Sequence, residues 1–368
     1  MSVRTAHSMQ QGPDDAALEL RRALSPSEPV LVLYFAGGAR DHAALAFAMR
    51  LAFPGALVVG CSTAGEIEGG AMLQGSVVAI GLGEDVVRDA HAVVLKDLRA
   101  RKDLRDALEP LEAHFGRPLA KLDPARYCGL LLVDGLSGAE ERVIDRLGDL
   151  TDVVIVGGSA GDDLAFQRTF VAADGQVYSD AAVLLLLEPA AGFRVLKTQS
   201  FRPLGRTLRV TQADEETRTV HAFDGRPAAA AYAEAIGTTP SDLPAHFMRH
   251  PLGLMVGEEP FVRSPQQVKG ESVVFYCNVR EGMELMVLEA TDVVEDTRKA
   301  LAAARAELGG LSALIDFDCV LRALEIDSTG KREAYGGLFA GLAAAGFHTY
   351  GELFLGHVNQ TSTMLLLR

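Results

Sequence analysis

The chain has 368 residues, 23% of them charged and 48% hydrophobic, enough apolar material for more than one core. Its 35 Lys and Arg against 49 Asp and Glu leave a formal charge of -14, which repels phosphate backbones and anionic membrane surfaces and disfavours nucleic-acid and membrane functions. Four cysteines occur singly, with no CxxC and no Cys/His pair at zinc-ligand spacing, as expected of a reduced cytoplasmic protein.

Residues 1–28 read as a flexible N-terminus without the apolar core of a signal peptide. From Val30 a repeat is expected. VLVLYFAGG (Val30–Gly38) is an apolar run closing on glycines. Asp41 then caps an alanine-rich helix to Phe53, and ALVVG (Ala56–Gly60) is a second run. The same order returns in CGLLLVDGLSG (Cys128–Gly138), a helix from Ala139 to Gly148, and DVVIVGG (Asp152–Gly158). Each second run ends in a glycine-bracketed turn, GCSTAGEI (Gly60–Ile67) or GGSAGDDL (Gly157–Leu164), followed by a third run, SVVAIGL (Ser76–Leu82) or AAVLLLL (Ala181–Leu187). The continuously apolar strands predict an α/β fold whose N-terminal sheet domain, residues 29–220, carries an internal strand-helix-strand-turn-strand repeat.

Beyond Glu188 the pattern changes. Gly192–Gly225 reads as short strands, Arg226–Gly237 as a helix, and Ser272–Val279 and Met283–Ala290 as strands around a turn. Asp292 and Glu295 form a capping-box start, Ala313–Ile326 reads as a strand, and a helix is expected from about Gly330 to Ala345. These elements predict a smaller α+β C-terminal domain, residues 221–368.

The glycine turns are the first candidate ligand sites, because sheets of this kind bind ligands outside the carboxyl ends of their strands. Neither turn fits a dinucleotide or phosphate loop, since no Lys is present and Glu66, Asp162 and Asp163 stand where phosphate would. Cys61, Ser62, Thr63 and Glu66 of the first turn, and Ser159 and Asp162 of the second, are therefore expected to face a small ligand. No nucleophile elbow or Cys-His-Asn signature supports catalysis. Near the C-terminus TYGELFLGHVNQTST (Thr349–Thr363) is polar between apolar segments, and adds Glu352, Asn359 and Thr361 to the candidate ligand-binding set.

Taken in order, GCSTAGEI, VVIVGGSAGDD, FDGRPAAAAYAEAIG, HPLG, FYCNVREGMEL, DVVEDTRKAL, FDCVLR and TYGELFLGHVNQTST resemble the FIST proteins, bacterial intracellular sensory proteins. The resemblance implies a FIST N domain, a FIST C domain, a small-molecule ligand with amino acids as the suggested class, and no catalytic residue. It also implies a separate output partner: a histidine kinase, a diguanylate cyclase or phosphodiesterase, or a chemotaxis receptor; a homo-oligomer is left open. FDCVLRALEID (Phe317–Asp327) with HVNQT (His357–Thr361) is similar to a nitric-oxide-sensing haemoprotein subgroup. That similarity implies haem, with His357 as axial ligand and His250 and His348 as alternatives. The reading of another class is a thiol-dependent enzyme acting through Cys61 or Cys319.

Overall fold

Leu31–Gly37 is apolar and buried at every position, on both faces, which fits an interior strand better than an amphipathic helix. The Asp41 side chain accepts a hydrogen bond from the Ala44 amide at 3.0 Å and starts helix His42–Ala52. The chain returns as Leu57–Thr63, parallel to the first strand, and Val77–Leu82 pairs antiparallel on the first strand's other side. The second copy repeats this with Cys128–Val133, helix Glu140–Gly148, Ile155–Ser159 and Ala181–Pro189. The computed structural model describes residues 2–368 and contains a mixed α/β architecture.

A third copy follows that the sequence pattern did not announce. Ala313–Cys319, helix Val320–Ser328, Ala344–Thr349 and Thr361–Leu367 adopt the same parallel and antiparallel pairings. Asp316 and Asp318 break its first strand's apolar run, which hides the repeat. The helix expected to reach Ala345 is only Arg332–Gly336 with a short turn Gly337–Phe339.

The three copies exchange hairpins in a ring. Glu66–Glu68 with Ala71–Leu73, from copy one, extends the sheet of copy three. Val171–Ala173 with Gln176–Tyr178, from copy two, extends the sheet of copy one. Glu352–Phe354 with His357–Val358, from copy three, extends the sheet of copy two. The opposite edge of each sheet is covered by Val3–Ser8, Val87–Lys96 or Phe193–Gln199. Each sheet therefore has six strands in one common order, and none is complete without another copy. The three inner faces meet in one core, where the Phe347 ring lies 4.9 Å from Phe35 and 5.8 Å from Phe317. Truncating such an aromatic costs about 3–5 kcal/mol.

Two expectations about organisation change. The segment expected to be flexible is built into the fold: Val3–Ser8 is an edge strand, and helix Pro13–Leu24 buries Ala16, Ala17, Leu20 and Leu24. The smaller α+β unit is an insertion between Phe193–Gln199 and helix Val293–Leu308, because the tail from Ala313 pairs back onto copies one and two. The expected boundary at residue 221 falls inside strand Thr219–Phe223. The inserted unit is antiparallel, runs from Phe201–Asp214 to Glu284–Ala290, and packs helix Ala228–Ile236 through Tyr232 onto Phe223, Phe275 and Val287. Asp292 caps the exit helix through the amides of Val294 and Glu295, as the capping pattern predicts.

Candidate functional site

The three glycine turns converge through backbone hydrogen bonds. The Ala64 amide donates to His348, the His348 amide to Gly65, the Ser159 amide to Gly351, the Tyr350 amide to Ser159 and the Gly161 amide to Ser62, at 2.8–3.2 Å. A Cβ on Gly161 would stand 2.8 Å from the Ala64 nitrogen, so the close approach requires glycine.

Turns one and three share the motif Thr-x-Gly-Glu and use it identically. Thr63 donates to Glu66, and the Ser76 amide and hydroxyl donate to the same carboxylate at 2.9 and 2.6 Å. Thr349 donates to Glu352 at 2.5 Å, and the Thr361 amide and hydroxyl donate at 3.1 and 2.8 Å. Both carboxylates are buried, and burial pushes Glu66 up and Glu352 up to about 7. These groups staple each exchanged hairpin to its own last strand, and their hydrogen-bonding capacity is spent on one another.

The remaining first-turn candidates also face inward. The Ser62 hydroxyl accepts from the Phe170 amide at 2.9 Å. Cys61 lies in the shared core, where burial and then the nearby Glu66 carboxylate push its thiol well up. Cys319 is likewise buried, with its thiol raised first by burial and then by Glu352. Neither environment favours a reactive thiolate, which is the form a thiol-dependent reaction needs.

The other candidates meet at a cavity of about 390 Å³ between copy two, copy three and the inserted unit. Gly135 and Leu136 line it just past the end of Cys128–Val133, and Val320 and Tyr350 just past Ala313–Cys319 and Ala344–Thr349. The cavity thus opens beyond the carboxyl ends of parallel strands. Asp162 shapes its rim. Burial would raise this carboxyl, but hydrogen bonds from the Tyr350 hydroxyl and the amides of Phe166, Gln167 and Arg168 outweigh burial and hold it low. The Phe166 ring stacks on Tyr350 at 4.8 Å and 21°.

An ion-pair network closes the base. Ser159 donates to Glu140 at 3.3 Å, and Arg218 of the inserted unit bridges Glu140 at 3.2 Å and Glu141 at 2.9 Å. Glu141 also accepts from His357 Nδ1 at 2.8 Å and from the Asn278 amide at 2.9 Å. Burial alone would lower the His357 pKa, but the Glu141 carboxylate outweighs it and raises it. Glu140, Glu141 and His357 present ligand atoms within 4.8 Å of one another, yet the Arg218 guanidinium supplies the cation between the two carboxylates.

Three polar atoms in the cavity wall have no partner: His357 Nε2 and both amide atoms of Asn359. Asn359 is 1% exposed. Leaving a buried polar atom unpaired costs about 1–3 kcal/mol, so this side chain marks where a ligand would be rewarded. A larger hollow of about 860 Å³ runs along the outer side of helix Glu140–Gly148, but it is an open groove whose charges pair locally, as in Arg280–Asp145 at 3.8 Å.

Haem does not fit at His357 or at His348. His357 Nε2 is blocked by the Gly351 backbone, where an added Cβ would lie 1.9 Å from it, leaving no face for a porphyrin. His348 Nδ1 donates to the Asp318 carboxylate at 3.1 Å, and its Nε2 is buried. His250 engages the Leu288 carbonyl at 3.2 Å and stacks on His246.

Of the residues expected from sequence, His357 and Asn359 line the cavity, Ser159 and Asp162 support it, and Cys61, Ser62, Thr63, Glu66, Glu352 and Thr361 lie sealed behind it. Glu140, Glu141, Arg218, Tyr276 and Tyr350 were missed. The acidic pair at the start of a helix was visible in sequence; its basic partner lies 77 positions away in a hairpin turn.

A triplicated α/β scaffold with a ligand-sized cavity at its strand ends defines the class: a sheet protein built around a pocket, with a second unit leaning over it. Within that class the chain belongs to the FIST family, a family of sensory domains, matching the FIST N domain over residues 30–226 and the FIST C domain over residues 228–355. It is similar to the uncharacterized protein MJ1623 of Methanocaldococcus jannaschii, 25% identical over 257 residues that cover 66% of this chain; the chain spans 50% of that relative's length. Among the described residues, no helix is long and apolar enough to cross a membrane.

Proposed function

We infer that this chain is a cytoplasmic sensory input module whose small-molecule ligand occupies the cavity at Asn359. The observation that carries this reading is the buried Asn359 amide with both its donor and its acceptor unpaired, in a cavity large enough for a metabolite. Arg218 and Tyr276 belong to the inserted unit, whereas Glu140, Tyr350, His357 and Asn359 belong to the triplicated scaffold. A ligand touching both sides binds one seating of the inserted unit better than another and shifts their populations. The output is then a separate partner that reads this seating: a histidine kinase, a cyclic-di-GMP enzyme or a chemotaxis receptor. Haem-based nitric oxide sensing through His357 or His348 is left outside this reading because Gly351 blocks Nε2 of His357 and Nε2 of His348 is buried.

The test is a melting-temperature screen of the purified chain against a metabolite library. A ligand at about 100 times its Kd adds roughly 2.7 kcal/mol to the folded state. At least one compound is expected to raise the wild-type melting temperature and to lose that effect in Asn359→Leu. A compound that stabilises both proteins equally, or a library without a hit, overturns the reading.

A further inference from the structure

The chemistry lining the cavity also restricts what the ligand is, an inference that rests on the reading above. The charged side chains in its lining are Glu140 and Arg218, paired at 3.2 Å, and His357, also in the lining, is bonded to Glu141, which Arg218 pairs as well. These groups are engaged with one another, so none is left free to pair with a charged ligand. Phosphorylated ligands are disfavoured by the carboxylates and by the absence of a glycine-rich phosphate cradle at the site. The free recognition chemistry is amide-like. Asn359 holds an unpaired N–H donor and an unpaired C=O acceptor side by side, buried at the cavity wall, and a second amide, Gln266, lines the same cavity.

Around these amides the walls are flat and apolar. Phe166 is 53% exposed, with one face on Tyr350 and the other open at the rim, and Tyr276 contributes a third ring. Adjacent donor and acceptor atoms on a planar ring are what a carboxamide reads bidentately on a nucleobase edge, and open aromatic faces reward a stacked ring. We propose that the cavity binds an uncharged planar heteroaromatic of nucleobase type, held edge-on by Asn359 and stacked against the Phe166–Tyr350 rings.

The chain contains no tryptophan, so a fluorescent base can be followed without protein background in its window. The probe is 2-aminopurine, with adenine, guanine, cytosine, uracil and their nucleosides as competitors. Stacking is expected to quench the probe saturably, at least one unlabelled base or nucleoside to reverse the quenching, and Asn359→Leu to weaken binding at least tenfold. Phe166→Ala alters an exposed ring and leaves the fold intact; it is expected to weaken binding several-fold and to reduce the quenching at saturation. If no base or nucleoside binds while amino acids or other non-aromatic metabolites raise the melting temperature in an Asn359-dependent way, the ligand class is wrong and the sensory cavity stands. Binding of a base that neither variant alters overturns the placement, and a chain that binds nothing overturns both readings.

Discussion

Turns one and three begin as the same device and end differently. Thr63-Ala64-Gly65-Glu66 and Thr349-Tyr350-Gly351-Glu352 staple their hairpins through equivalent Thr-Glu-hydroxyl bonds. The first hairpin then returns through Ala71–Leu73, with Met72 in an apolar layer under helix Arg332–Gly336. The third returns through His357 and Asn359, with His357 bonded to Glu141 and Asn359 unpaired in a cavity. The comparison teaches that the motif strong enough to read in sequence serves architecture, while the chemistry sits a few residues downstream where the copies have diverged.

The largest expected effect lies in the third copy's helix layer. Arg322 is buried and pairs through Nε with Asp318 at 2.7 Å, with Tyr335 and Thr297 on its Nη2. Arg322→Met leaves the buried Asp318 without its guanidinium, held only by Tyr335 and His348, and is expected to cost about 3–5 kcal/mol by denaturant unfolding, with no counterpart in copy one. A loss below about 1 kcal/mol would show that Asp318 is neutral or solvated. Next come the staples: Glu66→Leu and Glu352→Leu each orphan two hydroxyls and an amide and are expected to cost about 2–4 kcal/mol, to similar extents. Strongly unequal losses would break the equivalence of the two turns.

Acidity sharpens the same pair. The Glu352 carboxyl is raised to about 7 from an ordinary value of 4.5. A carboxyl raised by folding binds its proton more tightly in the native state, so its contribution is complete below pH 4.5, falls as pH rises and levels off above about 7. At 1.36 kcal/mol per unit this decline is about 3 kcal/mol. Wild-type stability measured between pH 4.5 and 7 should carry it, and Glu352→Gln should remove it. An unchanged slope in the variant would place the titration elsewhere. The smallest effects are spectroscopic: haemin added to the protein should give no His357-dependent Soret band, and all four native cysteines should resist alkylation until the chain unfolds.

The fold was legible where burial is two-sided. Runs such as Leu31–Gly37 and Ala181–Pro189 are apolar at nearly every position and announced two copies. The third was hidden because Asp316 and Asp318 face its helix layer, paired with Ser362, Arg322 and His348, contacts no local pattern reveals. The hairpin exchange was equally invisible, since Glu66–Glu68 reads as a local turn while its partner is Ala345–Phe347. At the site, His357 and Asn359 stood out as polar residues between apolar strands. Arg218 did not, because an arginine in a hairpin turn reads as solvated until Glu140 and Glu141 are brought against it.

The central claim is that copy three, and not copy one, carries the sensory site. Hydrogen–deuterium exchange with and without the compound giving the largest melting-temperature rise tests it most directly. Protection is predicted in residues 135–141, 218, 276 and 349–361, with residues 63–76 unchanged. Protection confined to residues 63–76 would contradict the account.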